Sequence, residues 1–591
     1  MWESVVSLPG LTSEAGAIGP EVLVPAKAHL HPAFFEGLGY HPSRSSTHPV
    51  LPACNPKLSG GIGGMTRSSA WHRESVKMLG MESAQALDRD RIAIATALVV
   101  FVVGMASLGT EIAGARLLAP YFGTSTIIWA NTIAVVLLSL SVGYWFGGRL
   151  ADSNPTLQGL CRLVLAAAVL LAIVPLAARP FLSAAASALD SVSAGGFLGS
   201  LGAVLVLLSG PLVLLGAASP YAVRLSVRTV EQSGRITGRL YAISTLGSLV
   251  GVFIAALALI PFAGTRMTFL AFSLALAAVA TIGLGARALI AAAFVIGVML
   301  LPAGEVKAAT AGDRILTEQE TEYGFARVVE SPTGERRLEL NEGLAIHSIL
   351  QADRSPTVGG YWDELSVLPW AVERKNGAEP KRIAILGNAA GTIARSLTTL
   401  HPNLRVDGVE IDGRLTEIGE RWFDLKPSAN LHVYTADARP FMRRSHDHYD
   451  AVLLDAYRQP YVPFHLATKE FFEVVKERLA PNGVLVVNVG HPASDNGLEK
   501  ALSATLGAVF THVVRDPAQD ENTQLIASDT PITSRALARA AGTFPPSLSG
   551  TALGASSRIS PALKGGSVWT DDRAPVEWLI DGSIVEEAGR R

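Results

Sequence analysis

Before Pro302 the chain carries long, nearly uncharged apolar runs in close succession, at 92–110, 127–148, 163–178, 198–218, 240–262 and 267–285. A bilayer core of about 30 Å needs roughly 20 helical residues at about 1.5 Å rise each. Most of the runs meet that length. Inside lipid every backbone polar group must be satisfied within its own segment, so such runs are helices. A soluble core does not explain so many uncharged runs in a row. Residues 91–304 are therefore read as an α-helical transmembrane bundle in a lipid bilayer.

Basic residues gather in alternate connections. Arg73, Lys77, Arg89 and Arg91 precede the first run; Arg149 and Arg162 follow the second; Arg224, Arg228, Arg235 and Arg239 follow the fourth. The connections between hold little beyond Arg116, Arg179 and Arg266. Basic loops face the cytoplasm, which puts the N-terminus inside. Ala288 to Gly304 is a further apolar run at the lower limit for spanning. A seventh span would place the C-terminal half of the chain outside. A re-entrant or interfacial segment would leave it inside, where nucleoside cofactors are made. Its shortness favours a multi-pass protein of the cell (inner) membrane with a cytoplasmic C-terminal domain. Glu111 and Arg116 lie just after the first run and are read as an ion pair at the membrane interface rather than a solute path. The segment GYWFGGRLAD, 143–152, looks like the cytoplasmic loop of major-facilitator transporters.

Residues 1–90 hold scattered Pro, His, Ser and Gly without periodicity and read as a disordered extension. Translation starting at Met65, Met78 or Met81 is an alternative. A net charge of -2 gives no basic field for nucleic acid. Two cysteines, Cys54 and Cys161, with no CxxC, HExxH or EF-hand loop, give no metal site and no disulfide framework.

From Thr317 the pattern changes. ETEYGFARVVE and ERRLELNEG read as strands of a small β unit, and YWDELSVLPWAV as a helix. Apolar strands then alternate with helices, which implies right-handed crossovers and a mostly parallel sheet. Residues 315–585 are expected to form an α/β doubly wound, Rossmann-like domain with a small N-terminal β unit. In RIAILGNAAG a strand enters a turn where Gly387 and Gly391 let a ligand approach the helix N-terminus. The next strand, ending in VEID, delivers Glu410 and Asp412. Glu410 is placed to accept from two ribose hydroxyls. Asp437, at the third strand end, is placed for an exocyclic adenine amine, and Asp455 ends the fourth. Each acid alone also fits a helix cap; together, at successive strand ends, they favour a nucleoside site. No GxxxxGK[ST] loop is present, which argues against a nucleoside triphosphate.

These motifs resemble the spermidine synthase (polyamine aminopropyltransferase) family. The resemblance runs through ETEYGFARVV, VEID, the Asp437–Ala438 pair, the Asp455 strand end, DAYRQPYVPFHLATKEFF and WTDDRAPVEWL. It is closest to the branch fused behind a multi-span, transporter-like membrane half. The resemblance implies a fold shared with S-adenosylmethionine-dependent transferases and a decarboxylated S-adenosylmethionine donor against Gly387, Glu410, Asp412, Asp437 and Ala438. It also implies Asp455 as the acid that takes a proton from a polyamine such as putrescine, Tyr323, Tyr361 and His347 lining the substrate pockets, and no metal. The family turn GGGDG is GNAAG here, so the aspartate that would hold the donor amine falls on Ala390. A second pocket acid falls near Arg458 or Gln459. Ordinary S-adenosylmethionine as donor, another amine acceptor, another transferase activity, or a transporter or sensor with a non-catalytic domain therefore stay open. Asp571 and Asp572 are candidate replacement acids or a capped turn, and His465 is read as a loop anchor. A homo-oligomer is left open.

Overall fold

The computed structural model describes residues 67–579, apart from 124–125, 154, 190–194, 303, 305, 308, 311, 342–344, 375–376, 458–461, 494 and 578. Cys54, Arg458, Gln459 and residues 1–66 of the N-terminal extension lie outside the described residues. Gly80–Arg591 forms one compact unit that contains both the apolar half and the α/β half.

The apolar half is built from α1 (Arg67–Phe122), α2 (Thr126–Ser153), α3 (Leu157–Leu189), α4 (Gly195–Ser226), α5 (Val230–Ile254), α6 (Ile260–Leu284) and α7 (Arg287–Leu300). Helix α1 thus begins inside the segment that lacks periodicity. Among the described residues, five helical stretches are long and apolar enough to cross a membrane. One of them, Val230–Leu284, joins two of the apolar runs. A π-helical turn at Ala255–Leu259 separates α5 from α6, and Gly264, at φ +86°, kinks α6 near its start. A Cβ on Gly143 or Gly147 would lie 2.3 Å from a carbonyl oxygen of α4, so only glycine lets α2 and α4 pack this closely.

Contacts fix the direction of each helix. At one end Asp152 pairs with Arg224 at 3.7 Å, Tyr221 accepts the Thr156 N–H, and Gly283 abuts Cys161. At the other end Tyr121 donates to the Val306 carbonyl, and Arg266 donates to the Val298 and Leu301 carbonyls at 2.7 and 2.9 Å. Helix α7 therefore runs back alongside α6 to the level where α6 begins. At 14 residues, α7 stays shorter than the spanning candidates. The Arg116 guanidinium leaves the bundle to hydrogen-bond the Thr321 and Glu322 carbonyls.

The other half opens with a four-stranded antiparallel sheet, β1 (Arg314–Glu320), β2 (Phe325–Glu330), β3 (Arg336–Leu340) and β4 (Ile346–Leu350). After α8 (Gly360–Val367) come β5 (Arg382–Leu386), α9 (Thr392–Leu400), β6 (Arg405–Glu410), α10 (Gly413–Trp422), β7 (Leu431–Thr435), α11 (Ala438–Arg444) and β8 (Tyr449–Leu454). The chain continues through α12 (Lys469–Arg478), β9 (Leu479–Gly490), α13 (Gly497–Gly507), β10 (His512–Gln519), β11 (Asn522–Ser528), α14 (Ser534–Ala541), α15 (Pro546–Arg558) and β12 (Ser560–Pro561). The large sheet has the order β12-β10-β11-β9-β8-β5-β6-β7. Its strands from β9 to β7 are parallel, and β10, β11 and β12 are antiparallel. This is the α/β, doubly wound class with a mixed sheet.

Alternation along β5 explains the layers. Ile383 and Ile385 enter one core with Leu365, Leu397 and Leu537; Ala384 and Leu386 enter the other with Phe471, Phe472 and Trp569. Strands covered on both faces read as continuous apolar runs, which RIAIL and VLVVNV are. The strand order reverses at β5, whose neighbours are β6 and β8. In open α/β sheets ligands bind outside the carboxyl ends of the strands at such a switch point.

Candidate active site

The carboxyl end of β5 enters a turn pressed against the end of β8. The Asp455 N–H donates to Leu386 O at 2.9 Å, and the Gly387 N–H donates to Val409 O at 2.9 Å. Gly387 has φ +93°, and a Cβ there would lie 2.5 Å from Asp455 O. Gly391, at φ +87°, caps the start of α9, and a Cβ there would strike Leu425 at 2.4 Å. Glycine is required at both positions by conformation and by space.

Glu410 ends β6 at 7% exposure. Its Oε2 accepts the Ala389 N–H at 2.7 Å and its Oε1 accepts the Asp412 N–H at 3.0 Å. Burial pushes its carboxyl up to about 7 despite these donors. Each oxygen retains a second lone pair. Asp412 and Asp437 both cap helices. Asp412 accepts the Arg414 N–H at 3.0 Å at the start of α10, and Asp437 accepts the Arg439 N–H at 2.9 Å at the start of α11. Burial raises the Asp412 carboxyl, and a hydrogen bond from Thr321 pulls it down. Ala438 is the buried first residue of α11. His465 reaches Asp437 at 3.3 Å, so it anchors its loop at the rim of this group.

Asp455 lies deep among protein atoms yet keeps part of its surface accessible, as a group lining a cleft does. Its Oδ1 accepts from Asn488 Nδ2 at 2.7 Å. Asn488 Oδ1 in turn accepts from Asn522 Nδ2 at 2.9 Å and Gln524 Nε2 at 2.8 Å. Those two donors fix the amide so that its N–H faces Asp455. Burial raises the Asp455 carboxyl to about 7, the Asn488 bond lowers it, and the nearby Glu410 charge adds to the rise. The Tyr361 phenol is pushed well up by burial, with the Asp455 charge adding to the rise. Tyr457 donates to Asn488 O at 2.9 Å.

Tyr323 sits in the turn between β1 and β2, 45% exposed. Burial raises its phenol, and so do the charges of Glu322, Asp412, Asp437 and Glu410. His347 lies on β4 beside Ser348, whose Oγ accepts the Ala390 N–H at 3.0 Å. The β4 edge is thus tied to the glycine turn. Asp571 is held by Arg439 through two bonds of 2.7 and 2.6 Å and by Thr468 at 2.8 Å. It straps the C-terminal segment down, while Asp572 beside it is exposed. Sequence reasoning misses Asn488. A lone amide inside VLVVNV, a run otherwise apolar and buried, is the available signal.

The fold and the crevice at β5 and β8 define a class, the doubly wound α/β domains that bind ligands at the switch point of the sheet. Residues 368–518 match the spermine/spermidine synthase domain. The chain is 30% identical over 296 residues to a probable polyamine aminopropyl transferase of Bifidobacterium longum, covering 46% of this chain and 64% of the relative. It is 40% identical over 135 residues to a polyamine aminopropyltransferase of Vibrio vulnificus, covering 22% of this chain and 44% of the relative. The chain thus spans less than two thirds of the length of either. A solved structure of a probable spermidine synthase from Corynebacterium glutamicum is 23% identical, with a TM-score of 0.35, over 43% of this chain and 97% of that one.

Proposed function

We propose that this protein is a membrane-anchored aminopropyltransferase that moves an aminopropyl group from decarboxylated S-adenosylmethionine to a polyamine such as putrescine. The observation that carries the reading is Asp455, a partly accessible carboxylate at the switch point, aimed by Asn488 and raised to about 7. The turn at Gly387 and Gly391 would receive the donor, with the open lone pairs of Glu410 taking ribose hydroxyls and Asp412, Asp437 and Ala438 forming the adenine side. Tyr323 and Tyr361 would line the amine path, with His347 behind it.

The amine must be neutral to attack. Asp455 takes its proton, and the nitrogen lone pair attacks the methylene carbon beside the sulfonium. The C–S bond breaks with its electron pair going to sulfur. The donor leaves as the neutral thioether methylthioadenosine, and no metal is needed to stabilise it. A base near pKa 7 is matched to operation near neutral pH. Incubating the purified full chain with labelled donor and putrescine tests this: transfer that vanishes in Asp455→Asn supports it.

A second reading, transfer from ordinary S-adenosylmethionine, is favoured by Ala390. That residue is fully buried and donates its N–H to Ser348, so it offers the donor amine no carboxylate.

Helix direction bears on the side of the membrane. Arg149, Arg162, Arg224, Arg228, Arg235, Arg239 and Arg287 belong to the end marked by the Asp152–Arg224 pair. The α/β half joins the opposite end, where Tyr121 meets Val306 and Thr265 meets Glu320. The positive-inside rule then supports a non-cytoplasmic α/β domain, opposite to the side expected from the shortness of the last apolar run. A domain on that side takes its donor and acceptor from the outer compartment or through the membrane half.

A further inference from the structure

A row of buried polar side chains crosses the large sheet beneath α8. It starts at Asp455, which accepts from Asn488 of β9 at 2.7 Å. Asn488 accepts from Gln524 of β11 at 2.8 Å, its direct partner in the strand register. Asp516 of β10 stands directly opposite Gln524 in turn. Side chains alternate along a strand, and Val486, Ile526 and Val514, each two residues from a member of the row, pack in the core that holds Leu365 of α8. The row therefore lies on that face of the sheet, where α8 packs across β9, β11 and β10.

The far end of the row is an ion cluster with two acids and one base. Arg558, the last residue of α15, donates from Nε to Asp516 Oδ1 at 2.7 Å and from Nη2 to Asp516 Oδ2 at 3.1 Å. Its Nη2 also donates to Glu364 Oε1 at 2.6 Å. Asp516 and Glu364 are both buried. Burial raises the Glu364 carboxyl, the Asp516 charge adds to the rise, and Arg558 pulls it down. Glu364 belongs to α8, and Tyr361 precedes it by one turn on the same helix face. The cluster thus joins α8 to the strand that ends the row.

Two acids on one arginine are a poor way to hold a helix down. Desolvation of the ions offsets much of their attraction, and an apolar side chain at 364 would bury as well beside Leu548, Ala552 and Ala555 of α15. What the ions add is direction. Apolar contact alone lets a helix slide or turn. The planar guanidinium, bonded to Asp516 through two nitrogens, fixes where Glu364 stands. It sets α8 in register with β10, and β10 pairs with the strand whose Gln524 orients Asn488.

We propose that Glu364 and Arg558 are positioning residues for amine binding, their ion pair locking α8 on the sheet so that Tyr361 keeps its place along the amine path to Asp455. The inference rests on the reading of that path as the acceptor site of an aminopropyltransferase. Neither residue touches a substrate. Both act through α8, and the nucleoside side of the crevice, at Gly387 and Glu410, lies outside their reach.

The test measures binding to the purified full chain in a neutral detergent by titration calorimetry: methylthioadenosine alone, then putrescine with methylthioadenosine saturating. Glu364→Leu removes the directed bond, leaves Arg558 paired with Asp516 and fills the position with apolar volume, so its melting temperature is expected to match or exceed that of the unaltered chain. Its Kd for putrescine is expected to rise about tenfold while its Kd for methylthioadenosine stays the same. Glu364→Gln keeps an acceptor for Arg558 and is expected to restore the amine affinity. Should Glu364→Leu not fold, Arg558→Lys, which keeps the charge and loses the planar fork, carries the same comparison and the same expected loss. Unchanged putrescine binding in the folded variant overturns the proposal. Equal weakening of putrescine and methylthioadenosine also overturns it, because that marks general loosening. If the unaltered chain binds no putrescine, the acceptor-site reading itself falls and this proposal with it. None of these readouts depends on transferase activity.

Discussion

Asn488 donates its amide N–H to Asp455 at 2.7 Å, while its own oxygen takes hydrogen bonds from Asn522 and Gln524. The Asp455 carboxylate is thus aimed from the neighbouring strand by an amide that cannot flip without losing two donors. Replacing Asn488 by Leu strands those donors and removes the bond that holds the Asp455 carboxyl down. We expect a stability loss of about 1–3 kcal/mol. We also expect the acidic midpoint of the rate profile to move to higher pH. A rate loss with an unshifted midpoint would assign Asn488 to packing alone.

Burial raises both Asp455 and Glu410 to about 7, and this fixes a sign for pH dependence. The folded state holds their protons in a window where the unfolded chain has released them. Stability therefore falls as pH rises from about 4 to about 7, and levels off above. Asp455→Asn should flatten part of that slope and gain as much as about 4 kcal/mol near pH 8. Melting curves of the full chain at pH 5 and pH 8 check it. The rate has the opposite sign: the base must be ionised, so kcat/KM climbs through pH 7.

Gly387→Ala puts a methyl group 2.5 Å from the Asp455 carbonyl oxygen at a backbone angle of φ +93°. The cost is roughly 1–3 kcal/mol of strain. Because the contact is with the backbone of Asp455 itself, activity should fall further than stability. Circular dichroism melts and initial rates on one preparation measure the difference.

Much of this domain is legible in the sequence alone. The continuous apolar strands and the glycine turn set the parallel sheet and its crevice, and Glu410 and Asp455 stand where their strand ends put them. Asp412 and Asp437 show the limit: a strand-end aspartate and a helix cap share one pattern, and both residues do cap helices here. The illegible part needs the third dimension. Asn488, Asn522 and Gln524 lie on two strands whose pairing only the fold supplies. Arg116 reads as a partner for Glu111, yet it reaches a turn some two hundred positions away.

That reach has its own consequence. Arg116 ties the first apolar helix to the Thr321 and Glu322 carbonyls, and Tyr323 comes directly after them. Arg116→Gln should raise the KM for the amine by about tenfold while kcat changes much less, since the base is untouched. Steady-state kinetics with the amine varied resolve the two. An equal loss in kcat would contradict this positioning role.

The side of the membrane is open to direct labelling. Lys564 is exposed on the α/β half. With Cys54 replaced by Ser, Lys564→Cys should react with an impermeant maleimide in intact cells. Labelling only after lysis would return the domain to the cytoplasm.

The central claim is tested most directly by following carbon and sulfur together. The full chain in lipid nanodiscs is given decarboxylated S-adenosylmethionine, labelled in its aminopropyl group, with putrescine. The account predicts equal amounts of methylthioadenosine and labelled aminopropyl-putrescine, both lost in Asp455→Asn. Methylthioadenosine without labelled amine, or full product from Asp455→Asn, would contradict it.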